Sequence, residues 1–467
     1  MTQESSTRTS RRDFLKLGTV SAGVALAGGL SVARSAHALA SDQLKVALIG
    51  CGNRGRGAAA DCLTADAAVR VVAVADAFER QAKTAAELLK QRFAERADIP
   101  PDRVFCGLDS FQKAIDCGVD MVILTSPPGF RPMQYAAAIK AGKHVFMEKP
   151  CCVDAPGFRS LMETNKLADQ KKCKVVVGLQ RRHDESFIQG IREIHDGKIG
   201  KVLFLRAYWN GGLIWVRRRE DLAKLLGREP TEMEYQVHNW YHFCWLSGDN
   251  ICEQHVHNLD VCNWVMNGHP VEANGMGGCQ ARYLGENKGV GQIFDHHFVE
   301  FTYADGTKLF SQCRHMNGCW GGEFQGVHGT AGTSDCRGGP APEPGARKPV
   351  APKKVQRKAE RKPDKKLSAE PGAKPRLGAT VQEHVDLIAA IRKDEPHNEG
   401  YYGATSSMTA VLGRMATYSG QIVKWDEAVE KGTSEFPATL AWDAKAPVER
   451  DQDGNYPIPI PGVFKPY

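Results

Sequence analysis

The sequence predicts an α/β chain in two parts, a wound parallel sheet first and a mixed α+β region after it. Two observations carry this. Apolar runs of four to six residues recur between positions 44 and 178, separated by helical patterns; that rhythm belongs to parallel strands buried on both faces. Beyond position 200 the strand-like segments at 202–208, 298–303 and 308–312 alternate instead, as strands with one solvated face do. A third is size: 467 residues exceed one core, and at roughly 150 residues per domain imply two or three. With 42% hydrophobic and 25% charged residues, a disordered chain and a multispanning membrane protein are both excluded.

The net charge of +7 is local. Residues 337–376 hold 13 Lys/Arg against 4 Asp/Glu and the first 38 hold 5 against 2, so the remainder is acidic. No nucleic-acid partner is expected of such a surface. The first 38 residues read as an address. Ser10-Arg11-Arg12-Asp13-Phe14-Leu15-Lys16 is a twin-arginine export signal, followed by a Gly/Ala-rich apolar stretch over 17–32 and the small-x-small cleavage site Ala36-His37-Ala38. The stretch is too short for a comfortable membrane span. The expected location is periplasmic or otherwise outside the cytoplasm, with no span after cleavage. The 14 Cys include no Cys-x-x-Cys pair and fall mostly in apolar segments, so they read as small buried hydrophobes rather than a disulfide framework.

The apolar run at 44–49 ends in Gly50-Cys51-Gly52-Asn53-Arg54-Gly55, and a helical stretch follows through Ala58, Ala59, Cys62 and Leu63. A second run at 71–75 then ends in Asp76. This is the dinucleotide fingerprint between a strand and a helix, the opening of a Rossmann domain. Gly50 allows the tight turn, Gly52 lets the backbone approach a pyrophosphate, and Gly55 lets helix and strand pack. The pyrophosphate would lie on the helix N-terminus near Asn53 and Arg54, with Asp76 on the ribose 2′-hydroxyl. An acid at that position repels a 2′-phosphate, which favours NAD over NADP, with Arg80 close enough to temper the preference. The pattern continues with a helix over 85–93, a strand at 103–106, a helix over 111–115 and a buried strand at 121–125. Ser126-Pro127-Pro128 breaks that strand at the cofactor edge. A helix through Tyr135, Ala138 and Ile139 then leads into His144-Val145-Phe146-Met147-Glu148-Lys149-Pro150.

These features together resemble the Gfo/Idh/MocA family, the glucose–fructose oxidoreductase and inositol dehydrogenase group. The shared marks are the glycine turn, Thr125-Ser126-Pro127-Pro128, Ala141-Gly142-Lys143-His144 before Glu148-Lys149-Pro150, and a later glycine turn at Val327-His328-Gly329-Thr330-Ala331-Gly332-Thr333. The resemblance implies a Rossmann NAD-binding domain, here 42–181. It also implies a substrate and dimerisation domain with an open, mostly antiparallel sheet, here 182–336 and 377–467, in a homo-oligomer. It places Lys149 in the substrate cleft beside the nicotinamide, with a proline often preceded by a cis bond.

Oxidising a carbinol needs a group that manages the hydroxyl proton and the charge left on oxygen, and Lys149 after a strand suits that role. A second constellation runs from Gly248 to Asp260. One helix through it would set Glu253, His257 and Asp260 on a single face. The family usually shows Asp-x-Gly-x-His-x-x-Asp here; His257 and Asp260 match, while Glu253 replaces the first Asp and His255 the Gly. Lys149, His257, Glu253 and Asp260 are therefore the expected catalytic set. Glu253, His255 and His257 could instead ligate a divalent metal, but alternating histidines on a helix point to different faces and no metal is expected. Trp240, Tyr241 and His242 offer aromatic faces and polar edges suited to a sugar, and Arg182 stands where the chain leaves the first domain. Residues 337–376, rich in Pro and Lys/Arg, are expected to be a disordered insertion.

An exported dehydrogenase has no pool of free cofactor, so it must keep NAD tightly bound and regenerate it in place. The expected function is NAD(P)-dependent oxidation or reduction of a sugar, cyclitol or glycoside. An NAD-recycling redox glycosidase is the near alternative, and a non-catalytic carbohydrate-binding protein of the same fold a further one.

Overall fold

In the computed structural model the described residues are 43–280, 289–343 and 377–467. The expected export signal and residues 344–376 of the basic insertion lie outside them. Residues 337–343 of that insertion are described, and they are tied down: Arg337 donates to Ser186 at 3.1 Å and Arg206 pairs with Glu343 at 3.5 Å.

The short apolar runs form β1 (Leu44–Ile49), β2 (Val69–Asp76), β3 (Val104–Cys106), β4 (Met121–Leu124), β5 (His144–Met147) and β6 (Val175–Val177). Each pairs in parallel, in the order β3-β2-β1-β4-β5-β6. Val46 of β1 stands opposite Met121 of β4, and Val145 of β5 opposite Val175 of β6. Parallel neighbours need crossovers, supplied by α1 (Asn53–Ala65), α2 (Glu79–Phe93), α3 (Ser110–Asp116), α4 (Arg131–Lys140) and α5 (Ala155–Gln170). Helices on both faces leave every residue of β4 buried. The strand order reverses between β1 and β4, and at such a switch point the carboxyl ends of the strands part into a crevice.

The chain then runs through α6 (Glu185–His195), β7 (Val202–Gly211), α7 (Arg219–Leu226), α8 (Glu232–His238), α9 (Cys244–Ser247), α10 (Asn250–Glu253) and α11 (Val256–Met266). Strands β8 (Pro270–Gly278), β9 (His296–Tyr303), β10 (Lys308–His315), β11 (Gly322–Gly329) and β12 (Thr333–Ser334) follow. After the insertion come α12 (Ala379–Lys393), α13 (Gly400–Ser419), β13 (Val423–Lys424) and α14 (Trp425–Lys431). The second sheet has the order β12-β11-β7-β10-β9-β8-β13. It is antiparallel except where β10 runs parallel to β7. α13 lies against β8 and β9, and almost all of it is buried.

One apolar core joins the two sheets, from Ile49 and Leu124 to Leu205, Phe301 and Met408. The division expected from sequence differs here in one respect: α12, assigned to the second part, packs on α1 of the first. Its buried Glu383 meets Arg54, and the ring of His384 lies 4.2 Å from that of Phe146. Among the described residues no disulfide joins the cysteines, and ten of the 14 are buried. Among the described residues no helix is long and apolar enough to cross a membrane.

Candidate functional site

The glycine turn divides its labour as its spacing predicts. Gly50 has φ +94°, and a Cβ on it would lie 2.3 Å from the Ser126 nitrogen; one on Gly55 would lie 1.9 Å from the Gly50 carbonyl oxygen. Those two glycines serve the turn and the packing of α1 against the sheet. A Cβ on Gly52 would meet nothing within 4 Å. Gly52 is also the N-cap of α1, so the unsatisfied N–H groups of the first turn face open space. A bare backbone beside a helix N-terminus fits a pyrophosphate, and the turn therefore fits a dinucleotide.

From this turn a cavity of about 1150 Å³ follows the carboxyl ends of the strands. All ten residues expected to hold the cofactor line it: Gly50, Gly52, Asn53, Arg54, Gly55, Asp76, Ser126, Pro127, Glu148 and Lys149. The Asp76 carboxylate accepts the Cys51 N–H at 2.6 Å and the Phe78 N–H at 2.9 Å, and burial pushes its pKa up. Arg54 donates to Glu148 at 2.5 Å and lies 3.3 Å from Asp61 and 3.4 Å from Glu383. Glu383 is fully buried, and burial followed by the Glu148 charge raises its pKa well above the carboxylate range. Sequence reading missed Glu383, an unremarkable acid in a helical stretch 329 residues from its partner.

At the far end β5 delivers Glu148 and Lys149, and the Lys149–Pro150 peptide is cis. The single helix expected through Glu253, His257 and Asp260 is broken: α10 stops at Glu253 and α11 starts at Val256. The break frees the Glu253 carbonyl, and the Lys149 ammonium donates to it as well as to the Glu253 carboxylate at 2.9 Å. Both side chains are nearly buried. Burial pushes the Glu253 pKa up, and the Lys149 charge opposes the rise. His257 lines the cavity with its ring stacked on Trp209, centroids 5.9 Å apart, and its buried Nδ1 has no partner. Burial, then the charge of Lys149, drive its pKa well below the usual histidine value, so the imidazole is neutral near pH 7.

Several expected residues stand elsewhere. Asp260 does not line the cavity. It takes Arg182 in a bidentate pair at 2.9–3.1 Å and the Ser406 hydroxyl at 2.8 Å. Arg182 in turn lies over the rings of Tyr402 at 3.9 Å and Trp264 at 4.9 Å, so it does not face the cavity either. The two satisfy each other's charge behind the wall. His255 points the other way from His257, its Nε2 2.8 Å from the Ser311 hydroxyl of β10, and burial lowers its pKa to about 3. Glu253, His255 and His257 thus do not converge, and no group of three or more such side chains among the described residues is arranged to hold a metal. Of the aromatic trio, Trp240 reaches the cavity, whereas the Tyr241 hydroxyl meets His315 Nε2 at 3.2 Å and His242 Nε2 the Trp215 carbonyl at 2.8 Å. Gln180, Trp215, Gln254 and Trp442 line the cavity and were not singled out from sequence.

The chain spans about half the length of the curated relatives it matches. It is 30% identical over 228 residues to inositol 2-dehydrogenase of Rhizobium meliloti (strain 1021), covering 49% of this chain and 56% of that protein. To an inositol 2-dehydrogenase/D-chiro-inositol 3-dehydrogenase of Halalkalibacterium halodurans it is 32% identical over 137 residues, covering 29% of this chain and 36% of that one. Among solved structures, scyllo-inositol dehydrogenase from Lactobacillus casei with bound NAD(H) and scyllo-inositol superimposes with TM-score 0.56 at 18% identity, over 82% of this chain and 99% of that chain. An aldose-aldose oxidoreductase from Caulobacter crescentus complexed with glycerol gives 0.55 at 17%, over 82% and 99%. These two likenesses establish the shared fold. Residues 44–179 match the sequence profile of the GFO/IDH/MocA group, described as "Oxidoreductase family, NAD-binding Rossmann fold".

Proposed function

We propose that this protein is an exported oxidoreductase that acts on a secondary hydroxyl of a cyclitol, sugar or glycoside and keeps NAD bound between turnovers. The observation that carries the proposal is one cavity with the glycine turn at one end and Lys149, Glu253 and a neutral His257 at the other.

When bound, the dinucleotide supplies the ring that accepts or returns the hydride. The chain's own residues handle the oxygen and its proton. Lys149 donates two of its N–H groups to Glu253, which fixes the ammonium and leaves a third N–H for the substrate oxygen. There it stabilises the alkoxide character that develops as the C–H bond breaks. His257, a neutral imidazole lining the cavity, accepts the hydroxyl proton and returns it in the reverse direction. Glu253 holds Lys149 in place by charge. Trp240 and the neighbouring aromatic rings give apolar surface for the C–H face of a ring substrate.

The test is the nucleotide content of the purified mature protein, then its spectrum during incubation with cyclitols, sugars and aryl glycosides. About one nucleotide per chain after dialysis, with reduction at 340 nm by a cyclitol or sugar, is the expected result. Release of an aglycone without net reduction would move the redox-glycosidase reading to first place. A protein without nucleotide, inert to NAD and every carbohydrate offered, would leave only a binding function. Fractionation of the producing cell tests export: the mature chain is expected outside the cytoplasm, and Arg11→Lys with Arg12→Lys is expected to hold it inside.

A further inference from the structure

The segment between β7 and α9, residues 212–243, crosses to the first domain and walls the cavity at the end of β2. Trp215, Arg217 and His238 from this segment face Phe78, Arg80 and Leu108 across that end of the cavity. The strap is anchored. The buried Asn239 side chain accepts the Arg217 N–H at 2.8 Å and donates to the Arg217 carbonyl at 3.0 Å, so Arg217 is clamped at both backbone groups. His238 stacks on Phe78 with ring centroids 3.8 Å apart and planes 15° apart, and Trp442 from the tail stacks on the same Phe78 at 5.3 Å.

The polar groups gathered there lack partners. His238 is 8% exposed, yet its Nε2 is buried without a hydrogen bond. Neither the Arg80 nor the Arg217 guanidinium pairs with a carboxylate among the described residues, and burial with the nearby Arg80 charge lowers the Arg217 pKa. The exposed Arg80 guanidinium, the part-buried Arg217 guanidinium and the unpartnered His238 imidazole thus stand beside aromatic walls. A flat, electron-rich ring with acceptor nitrogens on its edge meets each need: guanidinium planes stack on such a ring, and their N–H groups reach its edge. Asp76 sits beside them at the end of β2, where this fold places the adenosine ribose.

We propose that Arg80 with Arg217 and His238 of the strap form a closed adenosine subsite, which holds the cofactor's adenine from the second domain and keeps the dinucleotide from dissociating. This rests on the oxidoreductase reading above and adds to it the residues that retain the cofactor. Binding at the adenosine end then depends on the strap, while the nicotinamide end depends on Lys149 and its neighbours.

The experiment is calorimetric titration of nucleotide-stripped full-length mature protein with three probes: NAD, ADP-ribose and nicotinamide mononucleotide. It compares wild type with Arg217→Ala and, as a second variant on the half-exposed indole, Trp215→Ala. Both positions lie outside the apolar core, and matching thermal unfolding checks the fold. The expected result is a roughly tenfold loss of affinity for NAD and for ADP-ribose in each variant, a difference of about 1.4 kcal/mol, with nicotinamide mononucleotide unchanged. Unchanged ADP-ribose affinity in both variants overturns the subsite while leaving the oxidoreductase reading intact. Equal losses for nicotinamide mononucleotide also overturn it, since the effect would then not be local to adenosine. A wild-type protein that binds neither NAD nor ADP-ribose removes the oxidoreductase reading itself, and the subsite with it.

Discussion

Two carboxylates seven residues apart in the sequence, Glu253 and Asp260, have different jobs because of who meets them. Glu253 reaches the cavity through Lys149, whereas Asp260 is consumed by Arg182 and Ser406. Lys149→Ala is therefore expected to lower turnover by ~100-fold or more while the dinucleotide still binds through its adenosine end. Asp260→Ala should do the reverse, costing about 3 kcal/mol of stability by stranding a buried guanidinium, with turnover per folded molecule retained; denaturant titration alongside kinetics separates the two. His238 carries a pH signature. Its pKa is held near 4 by burial and then by Arg217, against about 6.5 when unfolded. Between those values the unfolded chain binds the proton and the folded chain does not, so stability contributed by this site falls as pH drops from about 6.5 to 4. Unfolding free energy of wild type relative to His238→Gln, measured without nucleotide, should decline over that window by up to ~1.4 kcal/mol per pH unit; a flat difference would count against a buried neutral imidazole.

Elements act by where they stop. The glycine turn ends β1 and starts α1 with almost no spare residue, so its three glycines tolerate different changes. Gly55→Ala drives a Cβ into the Gly50 carbonyl at 1.9 Å and is expected to destabilise the fold by ~1–3 kcal/mol. A Cβ at Gly52 meets no protein atom within 4 Å, so Gly52→Ala should fold normally, yet lose dinucleotide affinity by ~100-fold because the side chain occupies the pyrophosphate's approach. Calorimetry on the two variants reads that contrast directly. The break between α10 and α11 is the second such stop. A continuous helix would have bonded the Glu253 carbonyl internally; the interruption at Gln254 and His255 leaves it for Lys149. Periodicity over residues 250–260 reads as one helix; in the fold it is two, and at the break His255 turns to Ser311 of β10.

At the scale of the whole molecule, the second part closes on the first from two directions. α12 brings Glu383 under Arg54 behind the glycine turn, and the strap with Trp442 covers the end of β2. A ligand held between such surfaces stabilises both. NAD at a hundred times its Kd is expected to add ~2.7 kcal/mol to unfolding, seen as a single shifted thermal transition. Removal of the nucleotide should lower that transition, and a protein whose melting ignores NAD would contradict the site.

The Rossmann half was legible because its signals are local. Each buried strand, the glycine turn, Asp76 and Glu148-Lys149-Pro150 are set by residues adjacent in the chain, where apolar runs and backbone freedom act over a few positions. All ten expected cofactor residues accordingly line the cavity. The other side of the site was not legible. Whether Asp260 works or supports depends on Arg182, 78 residues away, and the neutrality of His257 depends on burial beneath Trp209. Tyr241 and His242 turned inward while Trp215, unmarked by any motif, turned to the cavity. Local sequence specifies which residues can do chemistry; partners distant in the chain decide which of them are left unsatisfied and facing open space, because a buried charge or hydrogen-bonding group takes whichever complement the fold brings within about 3 Å.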